Sequence, residues 1–597
     1  MRDVKRVFDI LELYAKRTDK DDVLAGRQAN EWIKYSASEY CKNANWFSYG
    51  LMTSGFRKGD KVAVITNNRP EWNFIDMGCQ QIGVVTVPIH TTFSIEDIEY
   101  ILKHSEPKYL FIAEKSMFAK LSDILQNIES IQDTYTVDKI PEARNWIELL
   151  CLGKDVESDL KNDLIRIKSE ISENDLLSII YTSGTTGYPK GVMLNHKNLV
   201  TNFKATSHCH IYDHNHKTLS FLPLSHIYER MLNYNFQYKG LSIYYAENLS
   251  VIAQCLKDVQ PEIFSTVPRL LEQVYDKFMA TGKSLKGIKK RIYAWSVKQA
   301  KMYNPDKPQG KIYLFKRSLA DKLVFSKWRE ALGGKLEVVV SGGAALQPRL
   351  AKVFGAAGIQ VLEGYGLTET SPVIAVNNQP TKEARVGTVG PVLPGVEVKI
   401  ADDGEILCRG DLVMQGYYKA PDITAEVIDE DGWFHTGDAG EFIDGKFLKI
   451  TDRKKEIFKL SNGKYIAPQV IENKFKESLF IEQIMVVGEN EKYASAIVSP
   501  NLSYLHNWAT VKKITYRDNS ELIENKKVIQ RFSKEIKELN KRLGPAEQIK
   551  KFKLISDEWV PANGLLSPTL KLKRKRIAEK YNDIISKFYV NSNYGDD

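Results

Sequence analysis

Cysteine is scarce in this chain, and its six residues are scattered without any C-x-x-C pair. A disulfide framework and a cysteine-rich zinc site are therefore not expected, and a reducing compartment is the natural setting. Long hydrophobic runs are lacking too, since the strongest, such as residues 82–89, fall well short of the about 18 residues of a membrane-spanning helix. The amino terminus leads into mixed polar sequence, so no secretory signal is expected.

A large excess of charge of one sign is also absent. The 84 lysine and arginine residues exceed the 75 aspartate and glutamate residues by only 9 in a chain of 597 residues. This surplus does not indicate a nucleic-acid binder, and no base-stacking aromatic residues are interleaved with the basic cluster at 571–576. With 43% hydrophobic and 27% charged residues, the composition is that of a folded, enzyme-sized protein. We expect no nucleic-acid partner, and the sequence carries no signal for an oligomeric state.

Short β-branched runs alternate with helical patterns, which predicts an α/β fold with parallel sheets flanked by helices. The predicted strands are residues 61–66, 83–88, 109–113, 176–181, 219–222, 241–245 and 335–340. Residues 389–442 have turns and little helical pattern, which predicts a β-rich subdomain. A charged segment near residue 452 then predicts a boundary between a large N-terminal domain, residues 1–451, and a small C-terminal α/β domain.

A run of small, hydroxyl and glycine residues from Tyr181 to Gly191 follows one of the predicted strands and contains Lys190. Glycines let backbone N–H groups approach phosphate oxygens, and hydroxyl groups and a lysine add further donors. The run is not a Walker A loop, because Gly184 and Gly187 are too close together and no Ser or Thr follows the lysine. The sequence therefore predicts a phosphate-binding loop that belongs neither to a kinase nor to a P-loop NTPase.

This loop resembles the phosphate loop of the adenylate-forming superfamily, which contains acyl-CoA synthetases, luciferases and peptide-synthetase adenylation domains. Further segments match motifs of the same family in the same order: Ser341 to Leu346, Glu363 to Thr370, Thr436 to Asp438, Asp452 to Lys455 and Ser567 to Lys571. Each segment alone is an ordinary turn sequence. Their order identifies a member of this superfamily, with the resemblance spanning about residues 60–577.

The resemblance implies a two-step ligase that uses ATP, Mg²⁺ and coenzyme A. A carboxylate is first joined to AMP with loss of pyrophosphate, and a thiol then attacks the acyl-adenylate. The residues implied to hold the phosphates are Thr182, Ser183, Gly184, Thr185, Thr186, Gly187 and Lys190. Those implied to surround the rest of the nucleotide are Gly343, Ala344, Tyr365 and Gly366 near adenine, Asp438 on the ribose and Arg453 beside it. Thr368 is implied to touch the α-phosphate, and Glu369 to bind Mg²⁺.

The C-terminal motif implies that Lys571 reaches the carboxylate and the α-phosphate in the first step. Lys455 lies at the position of the family's hinge, residues 452–455, so residues 456–597 form a lid domain that rotates and brings Gly463 to the pantetheine tunnel. The family's usual residue before this lysine is glycine, and here it is Leu570. If residues 570–573 form a strand, Lys571 and Lys573 share one face, so spacing alone does not choose between them.

Segments 431–438, 222–230 and 267–272 resemble long-chain members of the family, which implies a fatty acid substrate. Amino-acid-activating relatives carry an aspartate in the segment that aligns with residues 226–234, and this segment has none. His226 is either a residue near the acyl carboxylate or a packed strand-end histidine. Two other functions stay open: a fatty acyl-AMP ligase that serves a carrier protein, and an inactive lipid-binding scaffold.

A lysine-rich helical insertion lies between Glu272 and Gly333. Leu285, Ile288, Ile292 and Trp295 form one helical stripe with basic residues around it. This pattern suits peripheral contact of a cytoplasmic protein with the anionic inner face of a membrane. The alternative is a helix that packs on the large domain and exposes a solvated basic face.

Overall fold

A computed structural model describes residues 3–16, 20–28, 31–182, 188–454, 456–567 and 570–589. The chain divides into two compact units. The first comprises Met1–Lys399, Leu407–His435 and Ile443–Leu448, and the second comprises Ile400–Ile406, Thr436–Phe442 and Lys449–Asp597.

Two eight-stranded, mostly parallel sheets form the framework of the first unit. In spatial order, one sheet contains Val373–Val376, Gln360–Gly366, Val338–Ser341, Ile263–Thr266, Lys217–Ser220, Ser242–Tyr245, Leu24–Gln28 and Glu31–Tyr35. The other contains Gly416–Tyr417, Lys190–Asn195, Leu176–Thr182, Val85–Pro88, Lys61–Ile65, Tyr109–Ile112, Asp133–Thr136 and Arg144–Asn145. All seven predicted strands are present with shifted ends, and the predicted α/β class is confirmed.

Smaller sheets follow toward the carboxyl end. A four-stranded sheet contains, in spatial order, Glu397–Ile400, Glu405–Arg409, Phe434–Ile443 and Phe447–Arg453. The second unit has a hairpin of Phe458–Lys459 and Tyr465–Ile466, and a three-stranded sheet of Ile481–Val487, Ser495–Pro500 and Lys551–Leu554. Strands therefore dominate the region predicted to be β-rich, and the four-stranded sheet extends beyond it.

Helices cover these sheets, and many begin at a recognisable cap or proline. Those of the first unit are Ile10–Tyr14, Ala37–Thr53, Pro70–Gln80, Ile95–Ser105, Lys115–Leu125, Ile147–Asp155, Glu157–Glu170, His196–Ser207, Ile227–Lys239, Ile252–Val259, Pro268–Ser284, Gly287–Met302, Lys311–Ala320, Ser326–Ala331, Pro348–Ala356 and Pro421–Ala425. Those of the second are Pro468–Phe475, Leu502–Val511, Asn519–Glu524, Lys526–Asn540, Arg574–Lys580 and Asn582–Lys587. Pro70, Pro268 and Pro348 each open a helix, where the missing N–H costs no hydrogen bond. None of the helices in the described part of the chain has the length and apolarity needed to cross a membrane.

Helix Ile227–Lys239 lies between the two large sheets and is buried from Ile227 to Gln237, although it carries several polar residues. Glu229 accepts hydrogen bonds from Ser220 at 2.6 Å and from Ser265 at 2.5 Å. Both serines belong to the same large sheet. Burial raises the pKa of Glu229 to about 7, and the two serine donors oppose this shift. Buried polar groups are tolerated when each finds a partner, so the polar residues of this helix fix its position.

Arg230 of the same helix is fully buried and reaches the other sheet. Its guanidinium pairs with Asp76 at 2.6 Å and donates hydrogen bonds to Ser178 and Thr86. Its planar group also lies 5.1 Å from the ring centre of Trp72, a cation–π distance. Because Asp76 belongs to helix Pro70–Gln80, Arg230 ties two helices and a sheet together at one point.

Candidate active site

The predicted phosphate loop connects two antiparallel strands of the first unit. Thr182 ends strand Leu176–Thr182 and is paired in register with Lys190, which begins strand Lys190–Asn195. The predicted residues Ser183, Gly184, Thr185, Thr186 and Gly187 lie outside the described residues. The Lys190 ammonium is 5.1 Å from the ring centre of Tyr417. The strand pairing therefore holds a threonine and a lysine at the two ends of the loop.

Tyr417 connects Lys190 to Glu369, and the motifs of the sequence did not point to it. Its hydroxyl donates a hydrogen bond of 2.8 Å to Oε1 of Glu369. Burial, followed by the nearby charge of Glu369, raises the pKa of Tyr417 well above its ordinary value, so the hydroxyl remains a donor. The backbone N–H of Met414 also donates to the carbonyl of Glu369 at 2.8 Å. The pairing of Gly416 and Tyr417 with strand Lys190–Asn195 brings this side chain to the site.

Thr368 and Glu369 belong to a short 3₁₀ turn that follows strand Gln360–Gly366. Thr368 is buried, and the turn is closed by the side chain of Thr370, which accepts a hydrogen bond from Leu367 N at 2.9 Å. A Cβ atom at Gly366 would lie 1.6 Å from the carbonyl oxygen of Pro372, which is an impossible approach. Glycine is therefore required at position 366 for the chain to fold back after the turn.

The turn that contains Gly343 and Ala344 lies at the end of strand Val338–Ser341. Gly343 has a φ angle of +82°, a left-handed conformation that favours glycine, and Ala344 is exposed. Tyr228 packs next to this turn, because its hydroxyl donates to the carbonyl of Val340 at 3.1 Å. The preceding His226 is the N-cap of helix Ile227–Lys239, where its ring Nδ1 accepts a hydrogen bond from Tyr228 N. His226 thus has a capping role in the first unit.

Glu363 is a further residue that the motif roles did not assign. Its side chain is buried, and backbone N–H groups of Leu346 and Gly387 donate hydrogen bonds to it. Burial nevertheless raises the pKa of Glu363 to about 8. The carboxyl group therefore connects the strand that carries Tyr365 to the turn after Ala344, and it stays protonated at neutral pH.

Replacing Glu363 by glutamine is expected to weaken the pH dependence of stability. The carboxyl keeps its proton up to about pH 8 in the folded protein but loses it near 4.5 when unfolded. Its contribution to stability is thus full below about pH 4.5 and is lost as the pH rises through about 8. Thermal unfolding at about pH 5 and about pH 8 should show a smaller difference for Glu363→Gln than for the natural protein. An unchanged difference would contradict the assignment.

In the second unit, Asp438 and Arg453 lie side by side. The buried Asp438 forms an ion pair with Arg453, and Nε of Arg453 is 3.3 Å from Oδ1 of Asp438. Their backbones are also joined, because Lys454 N donates to the carbonyl of Gly437 at 2.8 Å. The two motifs thus lie on neighbouring strands of one sheet, Phe434–Ile443 and Phe447–Arg453. Arg453 therefore orients the carboxylate of Asp438. The arginine side chain itself is 42% exposed.

A second charged group in this unit is formed around Arg574. Its guanidinium binds Glu456 at 2.8 Å and the buried Glu472 at 2.6 Å. Nearby Asp452 accepts a hydrogen bond from Arg453 N, and burial raises the pKa of Asp452 to about 6. Arg574 therefore fixes the segment after Lys571 to residues that follow the predicted hinge. Lys455 itself lies outside the described residues.

Lys571 is held by a tight turn. Its backbone N–H donates to Ser567 Oγ at 3.0 Å, and its carbonyl accepts from Ser567 N at 2.7 Å. Leu570 has a φ angle of +62°, in the region that favours glycine, which gives a physical reason why glycine suits this position. Residues 570–573 do not form the strand considered above, since only Leu572 pairs, in an isolated bridge with Leu566. Gly463 lies in the exposed turn of the hairpin between Lys459 and Tyr465.

Two protein-family models match this chain. The description "AMP-binding enzyme" matches residues 11–418, and "AMP-binding enzyme C-terminal domain" matches residues 455–593. The chain belongs to the AMP-binding enzyme family. The resemblance to this superfamily is thereby confirmed.

Relatives of this AMP-binding enzyme are similar along nearly the whole chain. The long-chain-fatty-acid–CoA ligase FadD15 of Mycobacterium bovis is 31% identical over 590 residues, which cover 96% of this chain and 95% of the relative. Human long-chain-fatty-acid–CoA ligase 1 is 32% identical over 596 residues, which cover 94% and 83%. The adenylation domain of a carboxylate reductase from Mycobacterium chelonae has the same fold, with a TM-score of 0.76, 22% identity and coverage of 98% and 91%.

The residues of this AMP-binding enzyme fit Mg²⁺ at Glu369. Within the described ranges, no group of three or more His, Cys, Asp or Glu side chains could hold a metal ion. A single carboxylate suits Mg²⁺, which usually takes one or two carboxylates and fills its shell with phosphate oxygens and water. The hydroxyl of Tyr417 donates to Oε1 of Glu369, so one oxygen of this carboxylate is held in place.

Proposed function

We propose that this protein is a long-chain fatty acid CoA ligase. It joins a fatty acid to coenzyme A through an acyl-adenylate and releases AMP and pyrophosphate. The observation that carries the proposal is the similarity to long-chain-fatty-acid–CoA ligases over 96% of the chain. The arrangement of Lys190, Tyr417 and Glu369 supports the proposal. The Lys190 ammonium lies near the ring of Tyr417, and the Tyr417 hydroxyl binds the carboxylate of Glu369.

In the first step, the loop from Thr182 to Lys190 holds the phosphates of ATP. Lys190 supplies a positive charge, and Thr368 donates to the α-phosphate at which the carboxylate attacks. Donors that are fixed before the reaction stabilise the charge that develops on the phosphate oxygens. Mg²⁺, when bound, adds positive charge against the same oxygens, and Glu369 holds it.

The nucleoside is held by residues of several family motifs. Tyr365 stacks on adenine beside Gly343, Ala344 and Gly366, while Asp438 accepts hydrogen bonds from the two ribose hydroxyls. The ion pair between Asp438 and Arg453 supports this role, because it orients the carboxylate. His226 lies near the acyl carboxylate, and its cap on helix Ile227–Lys239 sets the position of its ring.

Lys571 assists the first step only, and the second step uses a different arrangement of the C-terminal domain. Residues 452–455 act as the hinge, and residues 456–597 then bring Gly463 to the thiol of coenzyme A. The exposed turn that contains Gly463 supports this role, since a glycine with a φ angle of +83° carries no Cβ atom that would hinder the approach of a pantetheine chain to the backbone.

The test is a pair of assays on the purified protein with palmitate. Pyrophosphate release that requires ATP and fatty acid, followed by palmitoyl-CoA formation, is the expected result. Adenylate that accumulates in the presence of coenzyme A would instead indicate a fatty acyl-AMP ligase for a carrier protein. Absence of pyrophosphate release with every acid from C2 to C20 would indicate a lipid-binding scaffold.

Glu369→Ala is expected to lose at least about nine-tenths of adenylation while AMP binding is weakened little, because the pyrophosphate-side metal loses its carboxylate. Calorimetry with ATP and with AMP, each with Mg²⁺, measures the two affinities separately. Tyr417→Phe is the matched variant, since it removes only the hydroxyl that orients Glu369. An equal loss of ATP and AMP binding in Glu369→Ala would move Glu369 to a structural role.

We also propose a cytoplasmic location with peripheral contact to the inner face of a membrane. All six cysteines are free thiols, as a reducing compartment allows. The membrane contact follows from a fatty acid substrate that partitions into lipid.

A further inference from the structure

We propose that two neighbouring helices of the first unit dock this enzyme on an anionic membrane surface. The inference rests on the proposed function, since a fatty acid ligase takes its substrate from lipid. The basic helix pair consists of Gly287–Met302 and Lys311–Ala320, the latter continued by the π-helical turn Asp321–Phe325. The two helices are in contact, because Tyr313 donates a hydrogen bond to the carbonyl of Gln299 at 3.0 Å.

The charge of the protein is concentrated in this segment. Residues 283–329 contain 14 lysine and arginine residues against Asp306 and Asp321, a surplus of 12 positive charges. Because the full chain has a surplus of only 9, the remainder of the chain carries a net charge of −3. A cationic region on an otherwise weakly acidic protein is attracted to an anionic surface and orients the molecule toward it.

Apolar side chains on the same helices face solvent. Ile312 and Phe315 are 74% and 73% exposed, and Leu319 and Leu323 continue their stripe at helical spacing. The stripe on the other helix meets it at a surface groove of about 410 Å³, lined by Arg291, Ile292, Trp295, Leu319 and Leu323. Exposed apolar residues next to basic residues are the two signals that hold an amphipathic helix at a lipid interface.

Packing on the inner side of the pair uses other residues, so the exposed stripe is not needed for the fold. Trp328 stacks on Phe278 at 4.9 Å and donates to the hydroxyl of Tyr293 at 2.9 Å. Arg317 donates to the carbonyl of Ala356 at 2.8 Å. The alternative interpretation of a packed helix with a solvated basic face concerns the stripe of Leu285, Ile288, Ile292 and Trp295, of which Ile288 is 67% exposed.

The preceding helix connects this surface to the nucleotide-side turn. Helix Pro268–Ser284 starts directly after Val267, whose side chain would be 3.8 Å from a Cβ atom at Gly343. Seventeen helical residues span about 25 Å, so the basic helix pair begins about that far from the turn. Docking through this pair therefore brings the lipid source within one helix length of the proposed site.

The experiment measures binding of the full-length protein to vesicles without ATP or coenzyme A. One vesicle preparation is phosphatidylcholine alone, and the other contains phosphatidylglycerol as the anionic lipid. The apolar variant is Ile312→Ser with Phe315→Ser, and the charge variant combines Lys289→Gln, Lys316→Gln and Lys322→Gln. Their matched controls are Ile165→Ser with Val511→Ser, and Lys526→Gln with Lys527→Gln and Lys534→Gln. All ten positions are exposed.

We expect the natural protein and both controls to bind the anionic vesicles at least about tenfold more tightly than the neutral ones. The apolar and charge variants should each lose about tenfold or more in binding to the anionic vesicles, and only the charge variant should lose its sensitivity to salt. Ligation of palmitate supplied in solution without vesicles should be unchanged in all four variants.

The proposal is overturned if the natural protein binds both vesicles equally or neither. It is also overturned if the apolar variant binds as the natural protein does, or if a control loses as much as its counterpart. Absence of palmitate ligation by the natural protein would instead count against the proposed function, so the two failures are distinguishable.

Discussion

Lys571→Ala is expected to slow acyl-adenylate formation by about 10² or more, the range for losing one preorganised electrostatic contact. Transfer from supplied acyl-AMP to coenzyme A should continue at nearly its normal rate. The reason is that the ammonium group offsets the charge of the carboxylate and α-phosphate oxygens while pyrophosphate leaves, whereas the rotation proposed for the second step withdraws Lys571. Stopped-flow measurement of each step, started from its own substrates, checks the prediction.

Lys573→Ala is the matched control for this variant. The family motif matches Lys571 and not Lys573, which is the N-cap residue of helix Arg574–Lys580. The control is therefore expected to keep the adenylation rate. Lys455→Pro is expected to give the opposite defect, since a fixed φ hinders rotation without touching the phosphates. Equal slowing of both steps by Lys571→Ala, or an adenylation defect in Lys573→Ala, would show that the assignment is wrong.

Arg230→Met is expected to destabilise the first unit by about 3–5 kcal/mol. The methionine fills a similar volume but leaves the buried Asp76 without its guanidinium partner. Ser178 and Thr86 lose a hydrogen-bond donor at the same time. Chemical unfolding followed by tryptophan fluorescence measures the effect, because Trp72 lies under the guanidinium and reports locally on its loss.

Two controls accompany this variant. Arg166→Met makes the same change on exposed helix Glu157–Glu170 and is expected to alter stability little, since exposed ion pairs contribute little. Arg230→Met combined with Asp76→Leu removes both buried charges and should recover much of the loss. Equal stability of Arg230→Met and the natural protein would contradict the proposed importance of the buried pair.

Local pattern predicts much of this fold. The alternation of short β-branched runs with helices predicts parallel sheets, and the seven predicted strands occur with changed ends. Helix Ile227–Lys239 is the instructive exception, because Glu229, Arg230 and Asn233 look like residues of a solvated surface and yet are buried. Their burial depends on partners such as Asp76 and Ser265, which are distant in sequence, so no local pattern reveals it.

The same reason limits prediction of the site. The motifs name Lys190 and Glu369, whereas Tyr417 joins them only after strand Gly416–Tyr417 pairs with strand Lys190–Asn195. Its signal in the sequence is a tyrosine after Gln415 and Gly416, which many loops share. In the sequence, Arg574 is one of several basic residues in a cluster. Its ion pair with Glu472 depends on the fold, so the sequence does not reveal it.

The Arg574 bridge also determines how the protein tolerates proteolysis. A chain cut just after Lys571 would keep every motif of the family, yet it would lose the guanidinium that neutralises Glu472, whose side chain is only 3% exposed. The unpaired carboxylate of Glu472 would then either take up a proton or become exposed to water, which requires its helix, Pro468–Phe475, to leave its packed position. Limited digestion of the C-terminal tail would therefore remove activity by unfolding the second unit, even though the cut spares the proposed catalytic lysine.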